Sequence, residues 1–553
     1  MYFKYQRKLA LLLCLTLSML NLAACQKSGA KITNFTNERI YQIMTDRFYD
    51  GDATNNAKGE AFRYQEETAD DFKYMHGGDW QGIIEKIPYI KGMGYTAIWI
   101  SPIMDVQLWS PPDAKGQQYP TAYHAYHTYD PKRANRYFGA EDPEKSKAKL
   151  KELVTECHKQ GLKVIFDIVP NHMGDYIKGV GKDAHYVKEQ PNMKEGTQLQ
   201  PVAPFNQVDW YHNLGPIDWS KERPHNESSN KMLESHDLWE LDDLNYDKAE
   251  VKQAMFDAFK YWFDYTGADA ARADAVKCMR PSDLHDLEKY ITVPTFGENF
   301  DTSPKFIAEW IGDKGMTGML DFPLFEAIVK CFAKGQHFSI IREVFDRDHN
   351  YGDNLLNMVT FIDNHDRNRF LTEAKGDKAR LQAALTFIFA ARGVPCVFQG
   401  TEQNRGNADN GLMNSGMPDV FNRWCMVTKD KAGKVLHDYF KTDTDTYKLI
   451  AKLNQLRTDL KALSAGKQVE LLADTHTYAL SRQTNEAKDE VLATFNNGEE
   501  AETIKLQLKD KSQLKAGQKL VNALDNSQTV TVDDNGELEL ELKAKSAQIW
   551  HLA

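Results

Sequence analysis

GADAARADAVK, residues 267–277, is a run of small apolar residues that closes on an acid, Asp274, with Arg272 two positions earlier. Two further stretches have the same form: TFGEN, 295–299, reaches Glu298, and FIDNHD, 361–366, reaches Asp366. Each reads as a strand whose last residues turn polar. The strands of a parallel barrel present such end residues to one cleft. Two carboxyl groups of unequal acidity are the minimum for cleaving a glycosidic bond. A third carboxylate nearby raises the acid's pKa by like-charge repulsion. Any one of these acids alone would be read as a helix cap or a solvated loop charge. Three at successive strand ends, with Arg272 and His365 beside them, read as a site.

Outward from that stretch, residues 39–45, 96–101, 163–169, 269–275, 294–299, 318–322, 357–364 and 394–400 are predicted strands. Helical periodicity fills the gaps, as at 143–160 and 248–265. Strands alternating with helices give an α/β fold, and eight of them favour a TIM (β/α)8 barrel over a doubly wound sheet. Residues 171–246 are rich in Gly, Pro, Asn and His and are too long for an ordinary connection, so a loop-rich domain is expected to be inserted after strand 3. Residues 247–460 resume the barrel that begins in 26–170. From 461 to 553 short alternating runs separated by turns predict a C-terminal all-β sandwich.

The chain has 553 residues and a net charge of −11, which argues against a nucleic-acid partner. Ten Trp suit carbohydrate, although most aromatics are core. Lys4, Arg7 and Lys8 precede an apolar run from Leu9 to Leu20, too short for a typical membrane span. The run ends in Leu22-Ala23-Ala24-Cys25, which resembles a lipoprotein signal. Residues 1–25 are therefore expected to be removed or lipidated at Cys25, leaving the chain anchored outside a bacterial membrane. An ordinary secretory leader is the plainer alternative. Cys157, Cys278, Cys331, Cys396 and Cys425 lack metal-site spacing and read as buried small hydrophobes.

Six short regions in order resemble the α-amylase family, glycoside hydrolase family thirteen. They are DIVPNH (167–172), LDDLN (241–245), AARADAVK (270–277), TFGEN, FIDNHD and GVPCVFQGTE (393–402). TDRFYDGDATNN (45–56) and HGGDWQGI (76–83) resemble its cyclodextrin glucanotransferases in particular. The resemblance implies Asp274 as nucleophile, Glu298 as general acid/base and Asp366 as transition-state stabiliser. It implies that Tyr126 stacks on the sugar at the cleaved bond. His124, His172 and His365 would contact its hydroxyls, and Arg272 would hold Asp274 ionised. Lys277, Trp239 and Phe300 would serve the leaving-group side, Asp419 and Arg423 the far side. It implies Ca2+ at Asn171, Asp243 and the Cys278 carbonyl. A second Ca2+ site would use Asp50, Asp52, Asn55, Asn56, the Gly77 carbonyl and Asp79, against the plainer reading of Asx turns. Cys278 and Asn299 depart from the family's usual His and Trp.

The expected activity is an endo-acting α-amylase on starch or maltodextrin, as a monomer. A glucanotransferase is the alternative that Trp239 and Phe300 keep open, although no extra starch-binding module follows the β domain. A non-catalytic glucan-binding surface protein is a third reading, opposed by the presence of all three acids.

Overall fold

The computed structural model describes residues 32–66, 71–113, 115–407 and 421–553. Cys25, its leader and Asp419 lie outside the described residues.

Eight strands form one parallel sheet: β1 (Ile40–Ile43), β2 (Ala97–Ile100), β3 (Lys163–Ile168), β4 (Ala270–Ala273), β5 (Thr295–Gly297), β6 (Gly318–Met319), β7 (Val359–Thr360) and β8 (Val394–Phe398). Their order is β6-β5-β4-β3-β2-β1-β8-β7. Leu320 pairs with Val359 in parallel, and the Asp321 N–H donates to the Val359 carbonyl at 2.9 Å, so the last gap is bridged and the barrel closes. Burial on both faces explains why β2 (AIWI) and β8 (VPCVF) are continuously apolar instead of alternating. All eight predicted strands exist, and most are shorter than their stretches. β7 stops at Thr360 because residues 361–366 leave the ladder to form the rim that carries His365 and Asp366.

The connecting helices start where the sequence supplies caps. Asp79 accepts from the Gly82 N–H at 2.6 Å and opens α1 (Trp80–Gly92). Asp142 caps α2 (Pro143–Lys159), with Pro at its first position. α3 (Ala249–Thr266) ends on Gly267 at φ 77°, a left-handed C-cap. Residues between β3 and α3 hold two short antiparallel strands, Ile177–Lys178 and His185–Tyr186, and one short helix, Glu227–Leu233. Bonds from the Leu244 N–H to the Asn171 carbonyl (3.0 Å) and from the Tyr246 hydroxyl to the Pro170 carbonyl (2.7 Å) close this excursion at its base.

The C-terminal strands are β9 (Lys467–Ala473), β10 (Thr477–Gln483), β11 (Val491–Asn496), β12 (Glu502–Gln507), β13 (Lys519–Asn522), β14 (Asp525–Thr531), β15 (Glu537–Leu542) and β16 (Ser546–Leu552). An antiparallel sheet in the order β9-β10-β11-β16-β13-β14 faces the β12–β15 pair. β11 is buried throughout because both its faces are covered. Val491, Ala493 and Phe495 join the core shared with the barrel, and Leu492 packs with Leu506 and Leu540 of the second sheet. β13 had no strand expectation: KLVN is only four residues and runs straight into a turn.

Candidate active site

One guanidinium organises the cleft. Arg272 is fully buried on β4, where Asp167 of β3 is its register partner. Its Nη1 lies 2.8 Å from Asp167 Oδ1 and 2.8 Å from Asp274 Oδ1, while Nη2 is ion-paired with Glu298. Asp274 follows Arg272 by two residues and shares its face of the strand, as the alternation of a strand requires. Asp274 and Glu298 are also hydrogen-bonded to one another. Asp366 completes the group from the end of β7, with His365 Nε2 at 3.1 Å and Arg423 Nη2 at 2.8 Å.

The wall opposite is built by Tyr126 and His365, whose rings stack at 5.4 Å and 11°. The Tyr126 hydroxyl donates to Asp167 Oδ2 at 2.8 Å and meets His365 Nε2 at 2.7 Å. Gln42 Nε2 lies 2.6 Å from His365 Nδ1, and an amide nitrogen can only donate, so the His365 proton sits on Nε2 facing Asp366. Trp99 Nε1 donates to Asp167 Oδ2 at 3.0 Å. His124 stacks on Tyr126, and His172 places Nε2 4.0 Å from Asp274 Oδ2. Burial holds His124 well below the ordinary histidine pKa, lowers His172 to about 4 and His365 to about 3, so all three are neutral donors near neutral pH.

The carboxyls separate by environment. Burial pushes Glu298 well above the usual carboxylate range; Arg272 opposes the shift, and Asp274, Asp366 and Asp167 add to it. Asp366 is held below that range because His365, Arg423 and Arg272 outweigh its burial. Asp274 is raised as well, because burial exceeds the pull of Arg272. Arg272 acts in the expected direction, towards the ionised form, and its pull is smaller than the effect of burial. Asp167 rises to about 7 by burial.

Beyond the acids, Lys277 is ion-paired with Glu222 and lies 3.2 Å from Asp301 Oδ2. Glu222, His225 and Asp301 could together hold a metal ion, but the Lys277 ammonium lies between the two carboxylates, and the group reads as an ion-pair cluster. Trp239 is 63% exposed and packs against Trp219 at 5.6 Å; Phe300 is 41% exposed.

Two groups of oxygens suit a hard cation. Asp243 is fully buried, hydrogen-bonded to Asn171 and 2.5 Å from His212 Nδ1. Burial, Asp237 and Asp242 push its carboxyl far up, which a divalent ion would reverse. Cys278 is buried close enough for Asp243 to raise its thiol. In the second group the buried Oδ1 atoms of Asp50, Asn55 and Asn56 have no hydrogen-bond partner among the described residues. A Cβ on Gly77, at φ +86°, would collide with Asn56 Oδ1. Asp52 and Asp79, the other two carboxylates expected at this site, also accept backbone N–H bonds. Asp52 Oδ1 accepts from the Thr54 N–H at 3.0 Å in an Asx turn. Asp79 is committed to the N–H groups of Gly51, Asp52 and Gly82.

The family model for the alpha amylase catalytic domain matches residues 42–434. The chain belongs to the alpha-amylase family. Its relatives include a beta/alpha-amylase of Paenibacillus polymyxa, 32% identical over 94% of this chain and 38% of its own length. A cyclomaltodextrin glucanotransferase of Thermoanaerobacterium thermosulfurigenes is 32% identical over 83% of this chain and 60% of its own. The chain thus spans less than two thirds of the length of these relatives. Among solved structures, a cyclomaltodextrin glucanotransferase with a three-domain ABC distribution superposes at TM-score 0.75, 29% identical, over 93% of this chain and 98% of that one. The alpha-amylase of Geobacillus thermoleovorans, complexed with acarbose, superposes at TM-score 0.71, 25% identical, over 94% and 99%.

Several residues of this amylase-family site escaped sequence reasoning. Gln42 carried a signal, being the polar residue in the apolar IYQI strand. Asp167 did too, as the inward acid of DIVPNH. Trp219, Glu222, Asp301 and His212 come from irregular segments with no periodicity to place them.

Proposed function

We propose that the chain is a retaining α-1,4-glucan hydrolase acting on starch and maltodextrins. The observation that carries this is the contact between Asp274 and Glu298 on Arg272. A retaining pair stands about 5–5.5 Å apart, without the gap for an intervening water that inversion needs. Asp274 attacks the anomeric carbon while Glu298 gives its proton to the glycosidic oxygen. The C–O bond breaks, the leaving sugar departs as an alcohol, and a glycosyl ester remains on Asp274. Glu298, now a carboxylate, takes a proton from water, whose oxygen attacks the same carbon and frees Asp274. Asp366, kept charged by His365 and Arg423, faces the positive charge that develops on the sugar. Tyr126 stacks on that sugar, and His124, His172 and His365 donate to its hydroxyls.

A second reading, glucanotransferase, is favoured by the exposed Trp239 and Phe300 and the half-buried Trp219 beside Trp239, which offer an acceptor sugar a stacking surface. A three-domain layout is compatible with this reading, because one similar glucanotransferase is described with a three-domain ABC distribution. Products from soluble starch, with and without added glucose, decide the matter. Linear oligosaccharides of α configuration support the hydrolase; cyclic or elongated products support the transferase; no turnover leaves only a glucan binder.

Ca2+ would be held by Asn171, Asp243 and the Cys278 carbonyl, and a second ion by Asp50, Asp52, Asn55, Asn56, Asp79 and the Gly77 carbonyl. Its contribution there is structural, tying loops to the barrel. The leader and Cys25 support a lipid-anchored place outside a bacterial membrane. Cys25→Ala is expected to move the protein from the membrane fraction to the medium.

A further inference from the structure

Arg367 follows Asp366 directly on the rim after β7. Its guanidinium carbon lies 5.8 Å from the centre of the Phe300 ring and 5.6 Å from that of Phe325. The other arginines that face the cleft are engaged. Arg272 serves three carboxyls, and Arg423 bonds Asp366, the His365 carbonyl and the Tyr123 hydroxyl. Lys277 is neutralised by Glu222 and Asp301. Among the described residues, the Arg367 side chain has no carboxylate within ion-pair distance and no hydrogen-bond acceptor; its contacts are the two rings. A guanidinium carries five N–H donors in a fixed plane, and contact with aromatic faces uses none of them. The rings set the plane of the group and leave the donors for something else.

Phe300 is two residues beyond Glu298 and 41% exposed. Ring and guanidinium together make a wall with an apolar face and a row of donors, the two kinds of surface that a pyranose presents.

We propose that Arg367 is an acceptor-binding residue: its N–H groups hold hydroxyls of the neutral sugar that packs at Phe300, first as leaving group and then as acceptor. The inference rests on reading Phe300 as part of the leaving-group side. It adds that orientation there comes from a charged donor rather than from stacking alone. In the second half of the reaction the held sugar can return a hydroxyl to the glycosyl ester, so Arg367 favours transfer over hydrolysis.

The test uses the full chain with starch as donor and glucose as acceptor, in Arg367→Met, Arg367→Lys and Arg367→Ala. Met keeps an unbranched stem against the rings and removes every donor. We expect Arg367→Met to raise the half-saturating glucose concentration for transfer about tenfold, as loss of hydrogen bonds to a bound hydroxyl does. Arg367→Lys should recover part of the loss, and Arg367→Ala should show the same loss as Met. A parent enzyme that hydrolyses without transferring is tested through the leaving sugar. The ratio of kcat/KM for maltohexaose to that for an aryl maltoside should then fall about tenfold in Arg367→Met by the same argument. A merely packing role predicts that Met restores the parent value and that Ala lowers the melting temperature; that pattern overturns the inference. No turnover by the parent enzyme would instead overturn the proposed activity, so the two failures are told apart.

Discussion

Four carboxyls, those of Asp167, Asp274, Glu298 and Asp366, share the guanidiniums of Arg272 and Arg423, so the cluster cannot hold four negative charges. Glu298 is pushed well up and Asp366 is held down, which leaves the first as proton donor and the second as anion. Activity should fall on the alkaline side as Glu298 loses its proton and on the acid side as Asp274 gains one. Both groups are raised, so the bell in kcat/KM should sit above the range of free carboxylates; a profile centred near about pH 4 would contradict this. The same shifts carry opposite signs for stability. A carboxyl raised in the folded state gives stability that is complete below its unfolded pKa and lost as pH rises towards the folded one. Glu298→Gln should therefore melt higher than the parent, by a margin that widens as pH rises above the range of free carboxylates, at roughly 1.4 kcal/mol for each tenfold difference in proton affinity between the folded and unfolded chain. Asp366 is depressed, so its contribution is present at neutral pH and lost in acid. Asp366→Asn should melt lower at pH 7 and converge with the parent in acid. Asp274→Asn should lose roughly 10⁴-fold or more in kcat while still binding maltodextrin; a smaller loss would dismiss it as the nucleophile.

Strand ends and loops show what the residues between these acids are for. The eight strands and the helices at 143–159 and 249–266 were legible because apolar runs and caps mark them locally. The three acids were legible because each ends such a run. Their pairing through Arg272 was half legible: spacing put Arg272 beside Asp274, but its bonds to Asp167 and Glu298 depend on barrel closure. Trp239 was read as a glucan-side aromatic, and its setting adds a reason. It adopts φ 61° and leaves most of its surface in water, a conformation and an exposure that packing does not require. Trp239→Gly should cost little stability, since glycine accepts that backbone, and should lower the ratio of transfer to hydrolysis. A destabilised variant with an unchanged ratio would make Trp239 a packing residue. Trp219, its neighbour, comes from an irregular segment where no pattern could place it.

At the scale of the whole molecule, the excursion between β3 and α3 carries Trp219, Glu222 and Trp239, so the leaving-group side is only as rigid as that segment's attachment to the barrel. Part of the attachment is polar and buried: Asn171 and Asp243 meet at its base, with Asp237 and Asp242 adding charge of the same sign. Without a cation, Asp243 must stay protonated or repel its neighbours. With Ca2+ it becomes a ligand and the repulsion becomes attraction. The oxygens of Asp50, Asn55 and Asn56 make a second such demand in the loop after β1. An ion that binds the folded chain stabilises it by about 2.7 kcal/mol at a hundredfold excess over its Kd. Chelation should therefore lower the melting temperature, and added Ca2+ should restore it. Mg2+ should restore it less, because it demands tighter octahedral geometry. The two groups separate by variant: Asp243→Asn should remove most of the calcium-dependent shift and loosen the 171–246 segment in hydrogen exchange. Asn55→Ala should remove a smaller share and leave that segment protected. A melting temperature indifferent to chelation, with metal analysis showing none bound, would mean that Asp243 is kept neutral and that His212 alone steadies it.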